Sequence, residues 1–153
     1  MISKTAHQIQ LVYAINLALT LHDIQEDKGG QLYIFHPLRI MLKCETFDQK
    51  IVAILHDVVE DCIPDGKQDI FYSSLYVNGI SEEVINAIRA ITKNKEETNK
   101  QYWARVKANP LATYVKLIDM EDNSSVERIS CLPYAKQEYL TNKYAEMKEF
   151  FNA

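Results

Sequence analysis

The sequence is poor in the residues that build special frameworks: its 153 positions hold three cysteines, four glycines and four prolines. Cys44, Cys62 and Cys131 are odd in number, widely spaced and without a CxxC pair. That argues against a disulfide framework or a zinc ribbon, and reduced thiols in a cytoplasm are the simplest expectation. Scarce glycine and proline exclude collagen-like and low-complexity chains. No stretch approaches the roughly 20 apolar residues of a spanning helix, so no membrane partner is expected. A secretory pattern is missing as well, because Gln8, Gln10 and Asn16 interrupt the apolar positions near the N-terminus. Basic excess is also absent: 17 Lys+Arg stand against 21 Asp+Glu, a formal net charge of −4. A nucleic-acid partner is therefore not expected, and any anionic substrate must be held by local charge.

What is present is an ordinary globular composition, 47% hydrophobic and 25% charged. A chain of about 150 residues buries roughly 68–70% of its unfolded surface and gains little by splitting, so one domain over residues 1–153 is expected. Helical periodicity runs through it. Ile9, Val12, Tyr13, Asn16, Leu17 and Thr20 trace one side of a first helix, from near Thr5 to near Asp23, thickened by Leu11, Ile15, Ala18 and Leu19. Gly29-Gly30 breaks that pattern, and His36-Pro37 suits a helix start, where proline's missing N–H costs nothing. A further helix is expected from near Asp48 to Glu60, with Ile51, Val52, Ile54 and Leu55 as its core face. Ile70 to Val77, Ser81 to about Ile91, Tyr102 to Lys107, a segment after Pro110 and a last one after Leu132-Pro133 complete the set, with Lys93 to Asn99 as a polar loop. No apolar run shows the period-two alternation of strands, so the fold class is all-α, a compact multi-helix domain.

The most informative segment is Leu55-His56-Asp57-Val58-Val59-Glu60-Asp61, where ionisable groups follow a core-forming stretch. On a helix of about 3.6 residues per turn, His56 and Glu60 share one ridge, and Asp57 and Asp61 share the next. An imidazole and three carboxylates crowded at one helix end repel one another unless a cation joins them, so a divalent metal is the natural resident. The plainer reading is a solvated acidic last turn. His36 and Asp119, each at an end of an apolar stretch, are further candidate ligands, and Asn123 follows Asp119 by one helical turn. Leu21-His22-Asp23-Ile24-Gln25-Glu26-Asp27 imitates Leu55 to Asp61 almost position for position. With Gly29-Gly30 directly after it and no His-Pro start before it, His22 and Asp23 are expected to be helix-end residues.

The order of these elements, His36, then His56-Asp57, then Asp119, resembles the metal-binding pattern of HD-domain phosphohydrolases. More narrowly, YIFHPLRI, AILHDVVED, AITKN and VKLIDMEDN look like the hydrolase domain of the RelA/SpoT homologues, especially the small alarmone hydrolases. The resemblance implies an HD-domain fold and one divalent ion, usually Mn²⁺, held by His36, His56, Asp57 and Asp119. It implies that Glu60 and Asp61 orient or deprotonate the attacking water. Tyr33, Lys28 and Asn123 match substrate-contacting positions, and Lys93 and Lys116 are nearby cations that offset the charge of a nucleotide. The implied activity removes the 3′-pyrophosphate from ppGpp or pppGpp. Two segments depart from the family. Asp27-Lys28-Gly29 stands where a basic run is usual, and Ser125 and Val126 replace an arginine and a threonine beyond Asn123. These departures lie where nucleotide contacts are expected, which keeps two alternatives open: the same fold acting on another nucleotide, such as the 2′-phosphate of NADPH, or a non-catalytic binding module.

Overall fold

In the computed structural model, which describes residues 4–152, ten helices follow one another: α1 (Lys4–Leu21), α2 (Phe35–Lys43), α3 (Phe47–Leu55), α4 (Val58–Cys62), α5 (Gln68–Val77), α6 (Glu82–Ile91), α7 (Asn99–Lys107), α8 (Pro110–Asn123), α9 (Val126–Ile129) and α10 (Tyr134–Asn152). The described residues form no strands. A single antiparallel bridge, Glu26 to Leu32, closes the loop between α1 and α2. None of these helices is long and apolar enough to cross a membrane.

The central helix is α3, which packs against α1, α2, α6 and α8. Its buried run Ile51, Val52, Ala53, Ile54 and Leu55 has no polar side, as a helix surrounded by others requires. Local chemistry sets where the helices begin. Thr46 accepts from the Gln49 backbone N–H while the Gln49 side chain accepts from the Thr46 N–H, and Thr98 and Gln101 repeat this capping box at α7. Ser81 caps α6 and Asn109 caps α8 ahead of Pro110. At the end of α5, Gly79 takes φ +87 and the N–H of Ile80 reaches back to Leu75 O, a left-handed stop that favours glycine. Gln10 Nε2 donates to Gly79 O at 2.6 Å and fastens α1 to that turn.

Three expectations change. The first helix turns a different face inward: Ala14 and Ala18 are fully buried, whereas Ile9 is 65% and Val12 57% exposed. Apolar residues occur all round α1, so periodicity does not choose a side, and packing against α3 and α4 does. The helix expected from Asp48 to Glu60 is two, broken at His56 and Asp57. The break lets α4 bury Val58 and Val59 while Glu60 and Asp61 stay exposed. Finally, α7 begins at Asn99, inside the expected polar loop, because Thr98 caps it.

Candidate metal centre

His36 lies in the first turn of α2 and is 2% exposed. Its Nδ1 is 2.7 Å from Asp122 Oδ2 on α8. Asp122 is in turn held by Arg39 Nε at 2.8 Å, Arg39 Nη2 at 3.0 Å and Arg128 Nη1 at 2.8 Å. With both its oxygens accepting from arginines, Asp122 is a carboxylate, and Arg128 Nη1 also lies 2.6 Å from His36 Nδ1, so that ring nitrogen faces a carboxylate and a guanidinium together. His56, 1% exposed, donates its own Nδ1–H to Ala53 O at 2.7 Å. The bond to a carbonyl fixes the His56 proton on Nδ1 and turns its Nε2 inward, as in histidines oriented for a metal, and the contacts on His36 Nδ1 turn its Nε2 the same way.

Both Nε2 atoms meet carboxylates. His36 Nε2 is 3.0 Å from Asp119 Oδ1 and 3.7 Å from Asp57 Oδ2. His56 Nε2 is 2.8 Å from Asp57 Oδ2 and 3.6 Å from Asp119 Oδ1. Adjacent residues on a straight helix point about 100° apart. The break, where Asp57 adopts φ −104 and ψ −6, brings His56 and Asp57 to one centre. Ligand atoms of His36, His56 and Asp57 lie within 4.8 Å of one another, close enough to share one ion. Asp119 completes the ring but is already engaged: Lys116 Nζ donates to its Oδ2 at 2.8 Å and Asn123 Nδ2 to its Oδ1 at 2.6 Å. His56 Nε2 is buried and, although Asp57 Oδ2 is 2.8 Å away, makes no hydrogen bond. Lone-pair nitrogens facing carboxylate oxygens need a proton or a cation between them, and two imidazoles with two carboxylates suit a borderline divalent metal.

The electrostatics agree. Burial disfavours a charged His56, but Asp57 and Asp119 outweigh it and raise its pKa well above the ordinary value. Burial likewise opposes ionisation of Asp57 and Asp119, yet the imidazoles hold both carboxyls low, with Lys116 the main stabiliser of Asp119. Glu60 and Asp61 shift the other way: although both reach the surface, partial desolvation by the surrounding helices raises both, and Asp57 adds to it. The centre therefore keeps two firmly ionised carboxylates and sets two more basic ones at its rim.

The remaining candidates divide. Tyr33 donates its hydroxyl to Asp57 Oδ2 in a short hydrogen bond, and burial together with Asp57 keeps its phenol protonated. Glu60 accepts from the Lys93 backbone N–H at 3.2 Å, while the Lys93 ammonium turns away to Asn99. Asp61 accepts from Gln25 Nε2 at 2.9 Å. Lys28 is exposed, on the wall of a cleft of about 1360 Å³ that Tyr33, Arg39, Asp122, Asn123, Arg128 and Tyr144 also line. Tyr33, Asp122 and Asn123 each bond a candidate ligand, so the cleft opens directly beside the centre. Sequence reading passed over Asp122, Arg39 and Arg128. Asp122 carried a usable signal, since it follows Asp119 by three residues and so shares its helix face. The arginines, from α2 and α9, carried none.

No family model matches the chain, and no curated protein matches it. Among solved structures it resembles that of a metazoan orthologue of SpoT that hydrolyses ppGpp and plays a role in starvation responses. The TM-score is 0.67 at 17% identity, over 90% of this chain and 82% of that one. The two share one fold, the all-α HD-domain arrangement.

Proposed function

We propose that the chain is a single HD-type hydrolase domain that removes the 3′-pyrophosphate from ppGpp and pppGpp with a divalent metal, Mn²⁺ first among those to try, in the cytoplasm. The observation that carries this reading is the convergence of His36 from α2, His56 and Asp57 from the break between α3 and α4, and Asp119 from α8, with both Nε2 atoms facing carboxylates. Those four residues would hold the ion. When bound, such an ion acidifies water and neutralises charge developing on a phosphoryl group. The fold shared with a ppGpp hydrolase supports the choice of substrate.

In this reading the oxygen of water bonds to the phosphorus attached at the ribose 3′-oxygen, and that 3′-O–P bond breaks. Glu60 or Asp61 takes the proton from water, and the ribose oxygen leaves with a proton as the 3′-hydroxyl. The products are pyrophosphate and GDP, or GTP from pppGpp. The basicity that burial gives both rim carboxyls fits the task of a general base. Tyr33 and Asn123 act through the ligands they bond, Asp57 and Asp119, and Lys116 through Asp119. Lys28 remains on the cleft wall to meet phosphate, with Lys93 near Glu60.

A second reading has a specific observation behind it. The arginines that reach the cleft are bound to Asp122, and the acids Asp27, Glu121 and Glu127 line it too, so its free positive charge is small. That favours a nucleotide less charged than ppGpp, such as NADPH losing its 2′-phosphate.

The test is release of phosphate and pyrophosphate from ppGpp, pppGpp, NADPH and a nucleotide panel with added Mn²⁺. Pyrophosphate and GDP from ppGpp, lost by at least about 100-fold in Asp57→Ala and Glu60→Ala, is the expected result. Turnover of another nucleotide alone replaces the substrate; no metal-dependent turnover leaves the binding module.

A further inference from the structure

The imitation motif from Leu21 to Asp27 supplies no ligand to the centre, yet it reaches it. His22, just past the end of α1, is 1% exposed. Its Nδ1 lies 2.8 Å from Gln25 Oε1, and Gln25 Nε2 lies 2.9 Å from Asp61 Oδ2. An ionised carboxylate only accepts, so the Gln25 amide must turn its nitrogen to Asp61 and its oxygen to His22. The oxygen then needs a donor, which fixes the proton of His22 on Nδ1 and leaves Nε2 buried without a partner. Only one direction of donation satisfies the run: His22 N–H to Gln25 O, then Gln25 N–H to Asp61. The Cys62 thiol, 3.4 Å from His22 Nδ1 and 3.9 Å from Gln25 Oε1, closes the other side of the pair.

Asp61 needs such support. It is exposed and sits on α4, a helix of only five residues. With Oδ2 taken by Gln25, the free oxygen is Oδ1. Gln25 also ties the loop to the centre through its backbone, since its carbonyl accepts from the Tyr33 N–H at 2.8 Å and Tyr33 bonds Asp57. We propose that His22 and Gln25 are positioning residues: they hold the Asp61 carboxylate in one orientation, with Oδ1 turned to the water it deprotonates. This rests on the reading of Asp61 as a proton acceptor.

The test compares Gln25→Met, which keeps the volume and removes the donor, with His22→Leu and His22→Asn, whose side-chain amide can replace the Nδ1–H. With ppGpp and Mn²⁺, Gln25→Met and His22→Leu should lower kcat about 30-fold with KM within about twofold. His22→Asn should recover most of that loss, and the double variant His22→Leu/Gln25→Met should be no worse than the poorer single one. Unchanged kcat in Gln25→Met, or additive losses, overturns the proposal. Should His22→Leu fail to fold, Gln25→Met and His22→Asn still decide.

A second readout needs neither metal nor substrate. In ¹⁵N-labelled protein the Gln25 side-chain amide should exchange slowly with water, and quickly in Asp61→Ala and His22→Leu. A fast-exchanging amide in the wild type sinks the positioning chain even if ppGpp is cleaved. A slow one, with no turnover of any nucleotide, sinks the functional reading and leaves the chain standing.

Discussion

Asp122 Oδ2 lies 2.7 Å from His36 Nδ1, across 86 residues of sequence, and two arginines pin the carboxylate in place. The carboxylate and its arginines hold the His36 ring with Nε2 turned inward, so loss of the carboxylate should be felt as metal affinity. Asp122→Asn is expected to weaken Mn²⁺ binding about 10- to 100-fold, measured by calorimetry, with the helical signal unchanged. Equal affinity in the two proteins would show that His36 is not a ligand or is oriented without Asp122.

Metal and proton compete for His56. Its pKa is raised well above the ordinary imidazole value by Asp57 and Asp119 against the cost of burial, so in the metal-free protein the ring holds a proton more tightly than a free imidazole does. A ligating imidazole must be neutral. Mn²⁺ affinity should therefore rise with pH through that raised pKa and fall below it, with proton release on binding. Calorimetry in two buffers of different ionisation enthalpy checks this, and binding without released protons would remove His56 from the ligand set.

Arg105 closes the end of α6. It donates to Arg89 O at 2.7 Å, Ala90 O at 2.9 Å and Thr92 O at 2.8 Å, and pairs with Glu97 at 2.7 Å. Arg105→Ala strips three carbonyls of a donor and leaves the Glu97 carboxylate with only the Asn94 N–H, at a cost of about 2–3 kcal/mol. At about 2–4 °C per kcal/mol in a domain of this size, thermal melting should fall by about 4–12 °C.

The same pair sets a pH dependence. Hydrogen bonding to Arg105 lowers the Glu97 pKa. A depressed carboxyl pKa stabilises the folded state above the unfolded value, near 4.3, and that contribution disappears as pH falls through the folded value. The melting gap between wild type and Glu97→Gln should be full at pH 7, shrink once pH falls below the unfolded value, and close as pH passes the lowered folded value. A gap independent of pH would assign the effect to packing.

Ile54, fully buried on α3 among the four helices around it, tests the centre of the fold. Ile54→Ala should cost about 2–5 kcal/mol in denaturant unfolding. Because α3 leads straight into His56, the variant should also bind Mn²⁺ more weakly; unaltered binding would mean that the centre is held from α2 and α8 alone.

The sequence by itself determined the helical class, most helix starts and the candidate ligands, because capping residues, prolines and apolar spacing act over one or two turns. Thr46 with Gln49, Ser81 and Asn109-Pro110 are legible for that reason. Tertiary structure alone decided which face of α1 is buried, since apolar residues occur all round that helix and only its packing against α3 and α4 selects the side of Ala14 and Ala18. It also decided the break at His56 and Asp57, where a straight helix would aim the two side chains about 100° apart. The partners of the centre were equally out of reach: Asp122 on His36, Gln25 on Asp61 and Lys116 on Asp119 are matters of a few ångströms between helices. Local chemistry writes the elements and names the ionisable groups, whereas their pairing depends on how buried surfaces dock, which no spacing along the chain encodes.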